Sequence, residues 1–273
     1  MQNELNQRFN FIETVVCWEG QINTTHVMKK FKLSRQAAST ILKEYRETFP
    51  EKISYNASTK AFVATDSFNQ QFQKNEFTNY LAAINPNSSF VFEVEAPLRN
   101  INPLQVRPIL RAIREKLAID IGYISLSSPD YLDRIIQPHA LVFDGLRWHV
   151  RAYCNKNQQF RDFTLSRFNG LAEFEGKATQ TAEQDDKWNK LIEVVITPDP
   201  RLTKKQQQII ATDFQMVQKQ KVIKTRAALV NYLLLRLRLD TYKNTPEEQQ
   251  IVLTTECRKR IAQYLPSAYT TPV

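Results

Sequence analysis

The sequence predicts an α+β protein, with helices first, a group of strands in the middle and both element types at the end. Apolar residues recur every three to four positions between residues 3 and 49, as in amphipathic helices. Four runs between residues 119 and 168 instead alternate apolar and polar side chains, as half-buried strands do. Residues 191–273 switch between the two patterns. At roughly 150 residues per domain, a chain of 273 residues predicts about two domains.

The first eighty residues predict three helices followed by a β-hairpin. A helix over 3–18 is followed by a short second helix, and a third helix begins at Ser34 and stops before Pro50. Two strand-like segments then flank a polar tip at 56–60. This order of elements predicts a winged helix-turn-helix domain within residues 1–65.

The outward face of the third helix is polar and basic, with six basic residues and one acidic residue between 29 and 46, a local charge of 6 − 1 = +5. Side chains at the start of such a helix contact base edges, and Lys or Arg further along it contact phosphates. The predicted DNA contacts lie on this helix, just before it or at the hairpin tip: Lys30, Lys32, Ser34, Arg35, Gln36, Ser39, Thr40, Lys43, Arg46, Ser58, Thr59 and Lys60. The competing interpretation is a three-helix bundle whose basic face is only solvated.

Composition excludes several classes of function. The net charge is +9 and the pI about 9.4, which favours a polyanionic partner. With only five glycines, the chain has neither GxGxxG nor GxxxxGK[ST], so we expect no nucleotide-binding loop of these kinds. Three scattered cysteines and three histidines show no metal-ligand spacing. We therefore predict no catalytic residues, metal or cofactor, and the lack of a long apolar run predicts a cytoplasmic protein.

The middle of the chain predicts a connecting region and a sheet. Helices are expected over 66–84 and 103–117, with a loop at 85–89, so that 66–117 forms a helical linker region. Four strands are expected to follow. Asp144-Gly145, a strong hairpin signal, joins the second of them to the third. They cover 119–127, 133–143, 147–154 and 159–168.

Alternation assigns side chains to the two faces of this sheet. Trp148, Val150, Ala152 and Cys154 are expected to face the core. The opposite face is expected to carry Arg147, His149, Arg151 and Tyr153 from the same strand. Tyr123 and Ser125 share a face of the first strand, as do Arg161, Phe163, Leu165 and Arg167 of the fourth. The polar face is either a solvated sheet surface or a site for an anionic ligand.

The run DRIIQPHALVFDGLRWHVRAYC over residues 133–154, followed by RDFTLSRF over 161–168, resembles the WYL domain of bacterial transcription regulators. Only Trp148 of the Trp-Tyr-Leu signature is present, since His149 and Val150 follow it. The segment QPHALVFDGLRWHVRAYC is similar to that of a subgroup encoded near phage-defence operons, the BrxR- or CapW-like repressors. The resemblance extends over nearly the whole chain.

This resemblance implies an Sm-like small β-barrel or sheet over 118–180, which senses a nucleotide or nucleic-acid-derived ligand, and a dimerising α+β extension over 181–273. It implies that the ligand contacts are among Tyr123, Ser125, His139, His149, Arg151, Arg161 and Arg167. The implied protein is a dimeric repressor of a phage-defence operon of the BREX or CBASS type, bound to a palindromic double-stranded operator.

The last third predicts a small α+β subdomain. Strands are expected over 191–197, 214–225 and 251–254, and helices over 203–212, over 226–239 and at the end of the chain. The apolar helix at 226–239 is either core or a dimer contact. The lysines at 219, 221 and 224 form either a solvated face or a ligand or DNA surface.

Two other functions stay open at this point. An adaptor for RNA or single-stranded nucleic acid would use basic and aromatic residues of the central sheet for stacking. A nucleotide-processing enzyme would use His139 and His149 as an acid–base pair, but no nucleophile or carboxylate pair accompanies them by spacing.

Overall fold

The computed structural model describes residues 2–72, 76–84, 91–92, 94, 97, 99–126 and 128–265 of the chain. The chain divides into two compact units, residues 1–95 and residues 96–273. The segment predicted as a helical linker is therefore divided between them, since its first helix lies in the first unit and its second helix in the other. No helix of the described residues is long and apolar enough to cross a membrane.

The first unit contains four helices and a small sheet among its described residues. In chain order these are α1 (Gln2–Glu19), β1 (Gln21–Ile22), α2 (Thr24–Phe31), α3 (Arg35–Thr48), β2 (Ile53–Asn56), β3 (Ala61–Ala64) and α4 (Phe77–Ile84). The strands pair in the order β1-β3-β2, all antiparallel. The predicted order of three helices and a hairpin is present, with the short strand β1 in addition.

Local sequence explains where these helices begin and end. Asn23 and His26 form a capping box at the start of α2. The Ala37 N–H donates to Ser34 Oγ at 3.2 Å, which caps α3. Lys32 lies in the left-handed region (φ 52°) and ends α2, so the turn between α2 and α3 stays short.

The predicted helix over 66–84 is wrong over its first half, because among the described residues of that span only Phe77–Ile84 is helical. A buried carboxylate holds the preceding backbone instead: the N–H groups of Gln71 and Phe72 donate to Glu13 Oε2 at 2.6 and 3.2 Å. Glu13 Oε1 also accepts from Lys52 Nζ at 2.8 Å inside the core. The loop expected at 85–89 lies outside the described residues.

The second unit begins with a helix packed on a five-stranded antiparallel sheet. These elements are α5 (Pro103–Glu115), β4 (Leu117–Ser125), β5 (Ser128–Phe143), β6 (Trp148–Cys154), β7 (Gln159–Thr164) and β8 (Phe168–Lys177). The strand order is β7-β6-β5-β4-β8. The core lies between α5 and the sheet and includes Ile109, Ile119, Ile136, Val150 and Phe163.

Three expectations about this sheet are corrected. The strand expected over 159–168 ends at Thr164 in a 3-10 turn, and β8, which was not predicted, follows it. Trp148 is 42% exposed, because it lies at the end of β6, where its ring contacts that of Phe143 on β5 at a tilt rather than entering the core. Tyr123 lies in the core, where its ring contacts those of Phe163 and Phe168.

The rest of the second unit forms a three-stranded sheet with helices. Its elements are α6 (Asp186–Asn189), β9 (Leu191–Pro198), α7 (Lys204–Asp213), β10 (Lys221–Arg226), α8 (Val230–Arg236), α9 (Pro246–Gln249), β11 (Ile251–Leu253) and α10 (Thr255–Ile261). The strand order is β10-β9-β11. The strand expected over 214–225 is shorter, since residues before 221 form turns with positive φ at Gln215, Gln218 and Lys219. The apolar helix is α8, preceded by a 3-10 turn, and Val230 and Leu234 point into the core.

Candidate nucleic-acid interface and anion site

The polar face of α3 is open to solvent. Its buried side, with Ala38, Ile41, Leu42 and Tyr45, packs into the core of the first unit. All twelve predicted DNA contacts are exposed: Lys30, Lys32, Ser34, Arg35, Gln36, Ser39, Thr40, Lys43, Arg46, Ser58, Thr59 and Lys60. The first turn of α3 carries no acidic residue. This surface can therefore present hydrogen-bond donors and positive charge to a groove.

Several of these side chains already have contacts inside the unit. Lys43 Nζ lies 3.7 Å from Glu47 Oε1, an exposed pair on one helix. The Arg46 guanidinium lies over the ring of Phe62 at 5.9 Å. Lys30 Nζ donates to the Ala82 carbonyl at 3.5 Å, so this side chain is directed towards α4.

The tip of the β2–β3 hairpin is a polar turn held by one side chain. Asn56 Oδ1 accepts from the N–H and the Oγ of Ser58, at 2.9 and 2.7 Å. Lys60 occupies the left-handed region with φ 52°. The tip therefore presents Ser58, Thr59 and Lys60 to solvent, in the position of a wing.

The polar face of β6 is covered rather than open. Arg151 is 5% exposed and lies against two carboxylates. Its Nε and Nη2 donate to Asp185 at 2.7 and 3.0 Å, and its Nη1 donates to Asp162 at 3.3 Å. Burial works to lower the pKa of Arg151, but the two carboxylates outweigh it and raise the pKa.

His149 belongs to the same covered face. Its Nε2 lies 2.7 Å from Asp144 Oδ2, and its ring lies against that of Tyr232 on α8 with centroids 4.9 Å apart. The Tyr232 hydroxyl donates to Asp162 Oδ2 at 3.0 Å. Burial and the neighbouring Asp162 raise the pKa of this phenol.

Asp144, in the β5–β6 turn, is the acidic partner of His149. Burial works to raise its pKa, but the hydrogen bonds from His149 and from the backbone N–H groups of Leu146 and Arg147 lower the pKa to about 2. The carboxylate therefore stays ionised and fixes the turn and the histidine together.

His139 reaches the same site from β5. Its Nε2 lies 3.1 Å from Asp185 Oδ2, and its ring makes edge contacts with Phe160 and Trp188. Its Nδ1 is buried and has no hydrogen-bond partner in the part of the chain that the structure describes. Burial works to raise the pKa of Asp185. The hydrogen bonds from His139 and Arg151 outweigh burial, so the pKa of Asp185 lies below its ordinary value.

The structure thus brings His139, His149 and Arg151 into one cluster with Asp144, Asp162 and Asp185. The other predicted ligand contacts lie outside this cluster. Tyr123 is in the core and accepts from the Thr164 N–H at 3.1 Å, Ser125 and Arg167 are half-buried, and Arg161 is exposed.

Sequence reasoning missed the three carboxylates of this cluster and the adjoining Tyr232. Asp144 served only as a hairpin signal, Asp162 lies in a predicted strand, Tyr232 in an apolar helix and Asp185 in an irregular segment. The one local signal is that Asp185 also caps α6, accepting from the Trp188 N–H at 3.1 Å. Its partner Arg151 lies 34 residues earlier in the chain, so no short-range pattern links them.

Comparison with known proteins matches three parts of the chain to family models. Residues 4–86 match the BrxR transcriptional regulator winged helix-turn-helix domain, residues 105–173 the WYL domain, and residues 191–265 the BrxR transcriptional regulator C-terminal dimerization domain. These matches confirm the predicted α+β class and the resemblance found in the sequence.

Relatives match along almost the full length. Over 263 residues the chain is 36% identical to the DNA-binding transcriptional repressor CapW of Pseudomonas aeruginosa, with 90% of this chain and 88% of that protein covered. The corresponding repressor of Stenotrophomonas maltophilia is 31% identical over 264 residues, covering 91% of this chain and 88% of its own. That of Escherichia coli is 34% identical over 263 residues, covering 90% and 88%. The chain therefore belongs to the family of CapW DNA-binding transcriptional repressors.

Proposed function

We propose that this protein is a sequence-specific repressor that binds double-stranded DNA through α3. The observation that carries the proposal is the exposed polar face of α3, with no acidic residue in its first turn and Arg35 and Gln36 at its start. Recognition helices contact base edges with residues at this end. Lys43, Arg46 and the wing tip then contact phosphates on either side of the groove.

The protein binds DNA as a homodimer through its C-terminal domain. The match of residues 191–265 to a dimerization domain supports this part of the proposal. A two-fold dimer places its two α3 helices on half-sites about 34 Å apart, or a multiple of that distance, which implies a palindromic operator.

An anionic nucleotide or a fragment of nucleic acid modulates this binding at the central domain. The match of residues 105–173 to a WYL domain and the guanidinium of Arg151 on β6 support this part. The operator controls a phage-defence operon of the BREX or CBASS type, a proposal that rests on the resemblance to the BrxR- and CapW-like repressors.

A mobility-shift assay with the DNA upstream of the gene tests the proposal, at one stated salt concentration and with scrambled duplex as competitor. We expect a specific shift that is lost in Arg35→Ala. Arg114→Ala is the matched control. Arg114 is an exposed arginine of α5, so its substitution removes the same charge from a helix other than α3. Equal loss in both variants would mean that only net charge matters and would contradict the assignment of α3.

The same assay separates the adaptor function. Its surface would be the central sheet, where Arg151 is buried against carboxylates and is not open to a strand of nucleic acid. Binding of single-stranded DNA or RNA, with no specific shift of the duplex, would replace the repressor proposal with the adaptor.

A further inference from the structure

The connection between the central sheet and the C-terminal sheet lies across the polar face of β6. Residues 182–190 form a 3-10 turn (Ala182–Gln184) and α6, and they lead directly into β9. Asp185 stands between these two short helices and is 1% exposed. A carboxylate buried this deeply requires partners, and the partners it has are Arg151 and His139.

The contact between Asp185 and Arg151 has the geometry that arginine uses for phosphate. Two nitrogens of the guanidinium, Nε and Nη2, donate to the two carboxylate oxygens at 2.7 and 3.0 Å. Such a paired contact matches a carboxylate or a phosphate equally well. Because the remaining nitrogen Nη1 faces Asp162, an external anion has no free edge of Arg151 to approach while Asp185 is in place.

We propose that Asp185 is an internal competitor for the anionic effector: a phosphate group of the effector takes its place on Arg151 and His139, and the segment from Asp185 to Lys190 is released. This inference rests on the proposed function, because it describes how the effector site of that repressor is closed in the absence of effector.

A second feature of the same place supports an incoming ligand. A cavity of about 100 Å³ is lined in part by His139, the partner of Asp185, together with Lys116, Thr181 and Glu183. The side chain of His139 is only 6% exposed, and its buried Nδ1 has no hydrogen-bond partner among the described residues. A buried polar atom without a partner costs free energy, which a ligand with suitable polar groups would recover. At the rim of the cavity, Lys116 and Glu183 form an exposed ion pair at 3.4 Å.

Release of the segment has a defined consequence, because the segment is bonded to the C-terminal domain. Arg226 Nη1 donates to the Trp188 carbonyl at 2.6 Å, and the guanidinium lies over the Trp188 ring at 4.6 Å. The Ala227 N–H donates to the Lys190 carbonyl at 2.8 Å. An effector that displaces Asp185 therefore loosens the attachment of the dimerization domain to the sheet. The free energy that drives this release is the difference between the effector's affinities for the open and the closed state.

The test compares two neighbouring acid-to-amide variants of the full chain by calorimetric titration with one probe, the 5′-phosphorylated thymidine dinucleotide pTpT. Asp185→Asn removes the competing charge but retains an N-cap side chain for α6. We expect it to bind pTpT about tenfold or more tightly than the unchanged protein, because less of the protein is held closed. Asp186→Asn is the control, since Asp186 is exposed on α6 and the change in charge is identical. We expect that variant to bind as the unchanged protein does.

Arg151→Lys completes the set, because a lysine keeps the charge and loses the paired donor geometry. We expect pTpT binding to fall about tenfold or more in that variant. Equal affinity for pTpT in the unchanged protein, Asp185→Asn and Asp186→Asn would overturn the inference, and so would binding that is indifferent to Arg151→Lys or absent in all four proteins.

Hydrogen exchange of the unchanged protein tests the same inference without relying on a variant that folds. With pTpT at millimolar concentration we expect faster exchange of the Trp188 and Lys190 amides, whose bonds to Asp185 and Asp186 are lost on release. Unaltered exchange under bound pTpT would overturn the inference. Operator binding without pTpT is measured in parallel: its absence in the unchanged protein contradicts the proposed function, whereas its presence together with a negative pTpT result contradicts the competitor alone.

Discussion

The polar face of α3 and the polar face of β6 carry similar side chains in opposite surroundings. On α3, Arg35, Gln36 and Lys43 are exposed. On β6, His149 and Arg151 are buried, each against a carboxylate. A period of 3.6 or 2 residues identifies which side chains share a face. It does not identify what lies on top of that face, because the covering residues come from distant parts of the chain.

The difference in burial changes what each arginine does. An exposed charge interacts weakly with its neighbours, and its replacement leaves stability nearly unchanged. A buried ion pair contributes little net free energy to folding, because the cost of removing both charges from water offsets their attraction. Removal of one member is strongly destabilising, because the other charge stays buried without a partner. Substitutions on α3 should therefore change DNA binding, whereas substitutions on β6 should change the folding of the second unit.

The largest expected effect is that of Arg151→Met. It leaves the buried Asp185 and the half-buried Asp162 beside an apolar side chain, and the free energy of unfolding of the second unit should fall by about 3–5 kcal/mol. Urea denaturation followed by fluorescence measures this. Arg161→Met, at an exposed position of β7, is the control and should change stability by less than about 0.5 kcal/mol. Equal stability of the two variants would show that the cluster around Arg151 is not a stabilising pair.

Asp144→Asn is expected to have the next largest effect, and it appears as a change in pH dependence. Since the folded protein holds the pKa of Asp144 at about 2, below its ordinary value of 3.8, ionised Asp144 stabilises the fold above about pH 4. That stabilisation is lost as the pH falls from 4 towards 2. The amide keeps the turn but cannot carry the charge that faces His149 and Arg147.

Urea denaturation at pH 5 and pH 3 measures this dependence. At pH 5 the variant should be less stable by about 1–2 kcal/mol, and its stability should change less between the two pH values. A variant that loses as much stability as the unchanged protein between pH 5 and pH 3 would mean that other carboxylates dominate acid unfolding.

The two regions also show which features a sequence predicts. Helices α1 to α3 follow from apolar spacing and from caps such as Ser34, because these are interactions within a few residues. The segment before α4 was mistaken for helix because Phe68 and Phe72 are four residues apart. These residues instead lie in an irregular segment. The backbone of this segment is hydrogen-bonded to Glu13, which precedes Gln71 by 58 residues and Phe72 by 59.

The candidate sites follow the same rule. The face of α3 could be predicted because nothing in the described structure covers it, and periodicity alone describes an exposed surface. The cluster on β6 could not be predicted in full, because Asp185 and Tyr232 have no periodic relation to Arg151 and His149. Alternation predicts that Trp148 faces the core, but at the end of a strand its side chain is partly exposed to solvent.

Gln36→Ala sharpens the comparison on the DNA side. If Gln36 contacts a base edge, its removal should reduce discrimination at one base pair of each half-site by about 1 kcal/mol, or roughly fivefold, and leave random DNA bound as before. Thermal unfolding should be unchanged because the side chain is exposed. The measurement is competition between operator duplexes with single base changes. A uniform loss on specific and random duplexes would assign Gln36 to the backbone instead.

Lys43→Ala should have the smallest effect on affinity at any one salt concentration, yet the clearest effect on salt dependence. The side chain is 68% exposed and its pair with Glu47 is 3.7 Å long, so it is available to a phosphate at little cost. Loss of one phosphate contact reduces the slope of log K against log salt by about 0.9 and weakens specific and random duplexes to the same extent. Titrations at four salt concentrations measure the slope, with Lys156→Ala, an exposed lysine of the β6–β7 turn, as the control. If both variants retain the full slope, Lys43 does not contact the duplex.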